Sequence, residues 1–315
     1  MIPPPTRQVR VVVMGSMNYD LIAVTDSFPE PGESVFGGDF YTSSGGKGGN
    51  QAVAASRLGA QTMIVGRVGN DHFGRELLDS LKVHGVDTSG VTIEPGVQSG
   101  IAHITIDSSG QNKIVIVPGA NALCDESEVE RVKLSLKNAD VLLLQMELPL
   151  GLSLKAAAEA NRLGRPVVFD PAPAGLIPDN AYRMMDYLIP NETEASRLTD
   201  FPVKDPDFGI AAAVELRRRG AQVVIVKMGR QGVCYSSPDG EGHLSAFDVK
   251  MIDSVAAGDA FNGAFAVAIA QRKILREALF WAMSAGAVAV TKRGAHDAMP
   301  SLEEVEALMV EQPRT

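Results

Sequence analysis

Short β-branched runs alternate along this chain with Ala- and Leu-rich amphipathic stretches, and that alternation restricts the fold more than any other feature. Val11-Val-Val-Met and Val141-Leu-Leu-Leu are apolar at every position. A strand of that kind is covered on both faces, as in a parallel sheet with helices on either side. Strands are predicted at Val9–Gly15, Thr62–Val68, Val141–Gln145, Val167–Asp170, Tyr187–Pro190 and Val223–Met228. Helices are predicted at Asn50–Leu58, Phe73–His84, Leu152–Leu163, Glu192–Leu198, Gly209–Arg219, Ala260–Gln271 and Ile274–Thr291. The expected class is α/β, a doubly wound, mostly parallel sheet flanked by helices, with functional loops at the carboxyl ends of the strands.

Two segments interrupt the alternation. Leu21–Ser44 contains Phe28-Pro-Glu-Pro-Gly32 and Gly37-Gly38. In Ser99–Asn121, Ile101–Ile106 and Ile114–Val117 flank Asp107-Ser-Ser-Gly110, a hairpin signal. Together they predict a small antiparallel β lid made of two excursions, 20–44 and 99–120. Lys113-Ile-Val-Ile-Val117 is apolar on both faces, which an isolated hairpin cannot bury. It either packs on the main sheet or pairs with a second subunit. The Pro-rich residues 1–8 read as a disordered tail ahead of one domain, 9–315.

Charge and composition exclude several classes. The 29 basic and 38 acidic residues give a net charge of −9. The densest basic cluster is Arg217–Arg219, so the footprint of a nucleic-acid binder is missing. No apolar run is long enough to span a bilayer, and the N-terminus carries no secretory signal. Cys124 and Cys234 lie far apart, which excludes a disulfide framework and fits a cytoplasmic protein. His72, His84, His103, His243 and His296 show no paired metal spacing and read as surface or structural residues.

Two glycine-rich stretches carry chemistry. In Asp253-Ser-Val-Ala-Ala-Gly-Asp259, small residues lead into a helix expected to begin near Asp259. A strand-like approach is expected to end at Ala256-Ala257-Gly258. Backbone N–H groups and the helix N-terminus there form an anion site. Asp259 is either the helix cap or a base that takes a proton from a hydroxyl beside the anion. Ser44-Gly45-Gly46-Lys47-Gly48-Gly49-Asn50-Gln51 is not a Walker A loop, because Gly48 follows Lys47. It is either a ligand loop or a plain glycine loop capped by Asn50.

Residues 9 to about 301 resemble the PfkB family of carbohydrate kinases, the ribokinase superfamily. The Gly45–Asn50 loop matches its N-terminal signature and Asp253–Asp259 its C-terminal one. Gly15-Ser-Met-Asn18-Tyr-Asp20, Gln145-Met-Glu147, Asp170-Pro-Ala-Pro-Ala, Asn191-Glu-Thr-Glu194 and Thr291-Lys-Arg-Gly294 follow in the family's order. The resemblance implies a ribokinase-like fold and transfer of the ATP γ-phosphoryl group to a sugar hydroxyl. In the branch nearest in pattern that hydroxyl is O5 of D-ribose. It implies Asp259 as base, with the amides of Ala256, Ala257 and Gly258 at the transferred group. It places Asn18, Asp20, Gly46, Lys47, Asn50 and Glu147 on the sugar. It places Asn191, Glu194, Lys227, Gly229, Gly232, Gly258 and Met283 on Mg²⁺-ATP.

The resemblance further implies K⁺ or another monovalent cation near Asp253, Val255, Ala289, Lys292, Gly294 and Ala298, and a homodimer formed through the lids. Two positions depart from the pattern: Lys227 stands where Thr is common, and Ala298 where Ser is usual. Competing simpler readings are a turn at Asp20, a solvated loop at Glu147, a capping box at Asn191–Glu194 and a solvent-reaching lysine at 227. A kinase for another sugar or a nucleoside stays open. A non-catalytic dinucleotide-binding protein is disfavoured, because Gly15-Ser-Met-Asn-Tyr-Asp lacks GxGxxG.

Overall fold

The computed structural model describes residues 8–109 and 111–312. The predicted tail lies almost wholly outside them, as does Gly110 of the predicted hairpin turn; Gln8 is described, and its amide donates to the Gly59 carbonyl at 3.0 Å.

The chain opens with β1 (Arg10–Met14), β2 (Asn18–Thr25) and β3 (Gly37–Gly45), followed by α1 (Lys47–Arg57), β4 (Gln61–Gly69), α2 (His72–Val83) and β5 (Asp87–Glu94). The second excursion is β6 (Gly100–Ile106) and β7 (Asn112–Val117). Next come α3 (Glu126–Leu136), β8 (Val141–Leu144), α4 (Leu150–Arg162), β9 (Val167–Phe169), β10 (Tyr187–Leu188), α5 (Glu192–Thr199) and α6 (Pro206–Arg218). The last part is β11 (Val223–Lys227), β12 (Val233–Ser237), β13 (Gly240–Leu244), α7 (Ala257–Ala270), α8 (Leu275–Ala289) and α9 (Leu302–Glu311).

Nine strands form the main sheet in the order β13-β12-β11-β10-β9-β8-β1-β4-β5. The pairings from β11 through to β5 are parallel, while β12 and β13 add an antiparallel edge. The apolar Val11–Met14 of β1 divides its side chains between two cores. Val11 and Val13 join the cluster that includes α1, α7 and α8; Val12 and Met14 join the one that includes α3, α4 and α6. Strand order reverses around β1, with β4 on one side and β8 on the other. A crevice opens at such a switch point, beyond the strands' carboxyl ends.

Helix starts agree with their capping chemistry. Asp125, Asn191 and Ser301 each close a capping box with a glutamate three residues on. Such caps are worth roughly 1 kcal/mol each. α1 and α7 begin three residues earlier than expected, as does α6, while α2 and α4 start one or two residues early. α1 starts at Lys47, so Asn50 lies in its first turn and is not its cap; Gly46, at φ +84°, occupies that position. α7 starts at Ala257 after Ala256, a non-glycine residue at φ 58°. No strand leads into it: residues 245–256 are irregular, with a bend at Ile252 and a turn at Val255–Ala256.

The small sheet has the order β3-β2-β6-β7. Two antiparallel pairs, β2 with β3 and β6 with β7, are joined by a parallel pairing of β2 with β6. Its own core is slight: Ile22, Ala102 and Ile104, flanked by Tyr41 and Ile106. Tyr19 on β2 stacks on Phe73 of α2 with ring centroids 4.7 Å apart. β7 does not pack on the main sheet; every residue in it is exposed. Both cysteines are free and buried, and burial raises the Cys124 thiol to about 12 and the Cys234 thiol to about 11. Among the described residues, no helix is long and apolar enough to cross a membrane.

Candidate active site

The first turns of α1 and α7 meet beyond the end of β1. This approach depends on glycine. A Cβ on Gly48 would come 2.6 Å from the Gly15 Cα, and one on Gly46 would come 2.5 Å from the Asn18 nitrogen. Gly48 and Gly49 lie inside the helix, where Gly48 admits the Gly15 backbone and a Cβ on Gly49 would come 2.9 Å from His296 Nε2. Asp259 sits in the first turn of α7 but caps nothing. Its Oδ2 accepts from Asn50 Nδ2 at 2.8 Å and its Oδ1 from Gln51 Nε2 at 3.0 Å. Burial raises its carboxyl above the ordinary range and Asp170 adds to this, against Lys47 and the two amides.

On one side of Asp259 lies a group of polar residues from β2, α1 and the β8–α4 loop. Asp20 is buried within β2, which removes the turn reading. Burial, and then Glu147 and Asp259, push its carboxyl up to about 7, against the pull of Lys47. Glu147 is not a solvated loop residue. It accepts from the Ser16 hydroxyl, from Asn18 Nδ2 at 3.3 Å and from the Lys47 backbone N–H at 3.4 Å. The Asn18 side-chain oxygen accepts from Asn121 Nδ2 at 2.9 Å. Burial pulls the Lys47 ammonium down, but Asp259, Glu147, Asp170 and Glu194 outweigh it and leave the ammonium above its ordinary value. Asn50 Oδ1 is buried with no protein partner, an acceptor left for a ligand.

On the other side a cleft of about 690 Å³ runs over the start of α7. Lys47, Asn191, Glu194, Lys227, Gly229, Gly232, Gly258, Asp259 and Met283 all line it. The capping-box reading of Asn191 holds: its Oδ1 accepts from the Glu194 N–H and Glu194 Oε2 from the Asn191 N–H, both at 2.8 Å. The Lys227 side chain is only 14% exposed and turns inward rather than out to solvent. Its Nζ lies 3.3 Å from Asp170 Oδ1 and about one van der Waals contact from the side of Gly258. Gly232, at φ +95°, passes so close to the Leu244 carbonyl that any side chain would collide.

The third group joins two loops. Asp253 Oδ1 accepts from the Val255 N–H at 3.0 Å and its Oδ2 from the Gly294 N–H at 3.2 Å. The Ala295 N–H donates to Ser43 Oγ of β3 at 3.3 Å. Ala289 ends α8, and Ala298 is buried in a single 3₁₀ turn. The Lys292 side chain turns away to Glu304, 2.6 Å distant.

Sequence reasoning missed Gln51, Gln145, Asp170, Ser16 and Asn121 as parts of the site. Gln51 Nε2 also donates to Asp170 Oδ2 at 2.9 Å, and Gln145 Nε2 donates to Gln51 Oε1 at 2.7 Å. Each lies inside or beside a motif already singled out. Adjacency to Asn50, to Glu147 and to the Asp170-Pro turn was the available signal.

A buried carboxylate beside a helix N-terminus, with a polar pocket on one side and a long cleft on the other, fits a phosphotransferase with an alcohol acceptor. The pfkB family of carbohydrate kinases matches residues 8–302. Ribokinase from Bacillus subtilis is 38% identical over 95% of this chain and 99% of its own length. Deoxyribokinase from Salmonella typhi is 35% identical over 93% and 96%. The Arabidopsis thaliana ribokinase structure, complexed with ribose and ATP, superposes with a TM-score of 0.86 at 32% identity, covering 96% of this chain and 99% of that one. The chain belongs to the pfkB family of carbohydrate kinases, and it is an ATP-dependent sugar kinase.

Proposed function

We propose that this enzyme phosphorylates D-ribose at O5, giving D-ribose 5-phosphate and ADP. The observation that carries the reading is the place of Asp259: buried, held by two amides, and shared between the Asn18–Asp20–Glu147 pocket and the cleft. The sugar hydroxyls would bond to Asp20, Glu147, Asn18 and Asn50, with Gly46 giving close backbone approach and Lys47 a donor. Carboxylates suit this task because each oxygen accepts from a vicinal hydroxyl.

Asp259 takes the O5 proton as the O5 lone pair forms the bond to the γ-phosphorus. The bond from that phosphorus to the β,γ-bridging oxygen breaks, and ADP leaves. The backbone N–H groups of Ala256, Ala257 and Gly258 face the phosphoryl oxygens and need not reorganise as charge develops. Lys227 adds a positive charge beside Gly258. Gly229 and Gly232 shape the nucleotide loop, and Met283 packs against the base.

Mg²⁺ accompanies ATP in this chemistry, neutralising charge on the β- and γ-phosphates. Glu194, together with Asn191 through water, fits it, because its carboxylate faces the cleft and hard cations take oxygen ligands. A monovalent cation fits beside Asp253. That carboxylate gathers the 255 and 294 backbones, and carbonyls of Ala289, Lys292 and Ala298 would complete the ligand set.

The chain is best read as one domain, 9–315, with 20–44 and 99–120 as a discontinuous lid over the sugar. Closure would exclude water from the phosphoryl group. Exposed Ile114, Val115, Ile116 and Val117 on β7, with Phe40 on β3, support a homodimer formed through the lids. Buried free thiols and the use of ATP favour a cytoplasmic setting.

The test is ADP release from ATP with ribose, 2-deoxyribose, fructose and nucleosides, with and without K⁺. Ribose should give the highest kcat/KM. A nucleoside or fructose outrunning it would overturn the assignment, and no release with any acceptor would remove ribose phosphorylation altogether.

A further inference from the structure

We propose that Gln51 is a positioning residue for phosphoryl transfer, its amide holding the carboxylates of Asp259 and Asp170 in one fixed relation. The inference rests on Asp259 being the base. Gln51 is wholly buried, and so, almost, is Gln145 behind it. An amide has two N–H donors and one carbonyl. Here the nitrogen donates at 3.0 Å to Asp259 Oδ1 and at 2.9 Å to Asp170 Oδ2. The carbonyl accepts from Gln145 Nε2 at 2.7 Å. Gln145 thereby dictates which end of Gln51 faces the acids. A flipped amide would turn its oxygen on two carboxylates.

The consequence reaches both substrates. Asp170 uses its other oxygen to hold Lys227 at 3.3 Å, beside Gly258 and the nucleotide cleft. Asp259 uses its other oxygen toward Asn50 and the sugar pocket. Two acids that would repel across a dry interior are thus bridged by one donor group. The charged groups facing Asp259 are Lys47 from α1, Asp170 from the turn after β9 and Asp20 from β2. Gln51 favours the ionised form of Asp259, because hydrogen bonds to a carboxylate stabilise its charge.

Gln51→Met keeps the bulk and removes both donors, so Asp259 should hold its proton to higher pH. The test is kcat against pH for ATP-dependent ribose phosphorylation, alongside ribose affinity by calorimetry and a thermal melt. The acid limb should move up by roughly one pH unit, lowering kcat about tenfold on the limb and little on the plateau above it, with ribose affinity unchanged. Gln145→Leu, which frees Gln51 to flip, should shift the limb the same way by less. If Gln51→Met is misfolded in the melt, Gln145→Leu decides alone. A fall in kcat by the same factor at every pH, or no fall, overturns the proposal. Full activity of Asp259→Asn would instead overturn the assignment of the base, and the two failures are therefore distinct.

Discussion

Asn50 Nδ2 lies 2.8 Å from Asp259 Oδ2, so the first turns of two helices far apart in the chain are tied together at the candidate site. The bond removes a role sequence alone left open for each residue. Neither caps its helix, and each spends its side chain on the other. Asp259→Asn retains shape and hydrogen bonding but cannot accept a proton. Its kcat should fall by roughly 10²–10⁴, the range for a positioned base, with ribose affinity changed only a few-fold. Steady-state ADP release and calorimetry separate the two. A loss in affinity matching the loss in rate would mean that Asp259 binds and does not catalyse.

Asp20 gives the free enzyme a pH dependence of definite sign. Its folded carboxyl is pushed up to about 7, above the ordinary carboxylate range. Between that range and pH of about 7, the folded state holds a proton the unfolded chain lacks, so stability falls as pH rises. Asp20→Asn should flatten chemical denaturation midpoints across this window and stabilise the apo protein above it by on the order of 2 kcal/mol. Ribose hydroxyls donating to Asp20 favour its charged form. Calorimetry below pH of about 7, in buffers of different ionisation enthalpy, should therefore register proton release on ribose binding, and Asp20→Asn should abolish it.

Asn18 presents a donor to the sugar pocket, because Asn121 occupies its carbonyl. An N–H aimed at the 2-hydroxyl discriminates against 2-deoxyribose, which would leave it unpaired. Asn18→Met should lower kcat/KM for ribose about tenfold or more while sparing 2-deoxyribose. Competition between the two sugars measures the ratio directly. An unchanged ratio would place sugar discrimination elsewhere.

Ala298 lies buried where the family resemblance leads one to expect serine. Ala298→Ser restores an oxygen near the Asp253 loop. The K⁺ concentration for half-maximal rate should drop several-fold, since each added oxygen ligand strengthens a hard-cation site. Titrating K⁺ against Na⁺ in the ADP-release assay tests this. Identical K⁺ curves for the two proteins would show that the site does not include position 298.

The layered architecture was legible because Val11–Met14 of β1 and all of β8 are apolar, a pattern tied to two-sided burial. The two glycine motifs were legible because backbone approach leaves a compositional trace. What escaped was pairing across distance. Nothing local in Gln51 announces a bond to Asp170, 119 positions away. Partial burial of Glu147 and Lys227 escaped for the same reason, their partners Ser16 and Asp170 arriving from the turns after β1 and β9. β5 was missed because Asp87–Glu94 alternates polar and small residues, with no apolar run. The β12–β13 hairpin was missed although Asp239-Gly240 marks its turn, because β13 is itself rich in glycine and polar residues. α3 and α9 were missed although their capping boxes are written in the sequence.

The two thiols buried inside this protein keep their protons far above neutrality, Cys234 closed off from solvent and Cys124 nearly so. A thiol-directed reagent can modify them only after the surrounding structure opens. Labelling at Cys124 and Cys234 is therefore a clock for opening on two different elements. Slower labelling in the presence of a sugar or nucleotide would count how much each ligand tightens the region around that thiol, with no label attached to the enzyme beforehand.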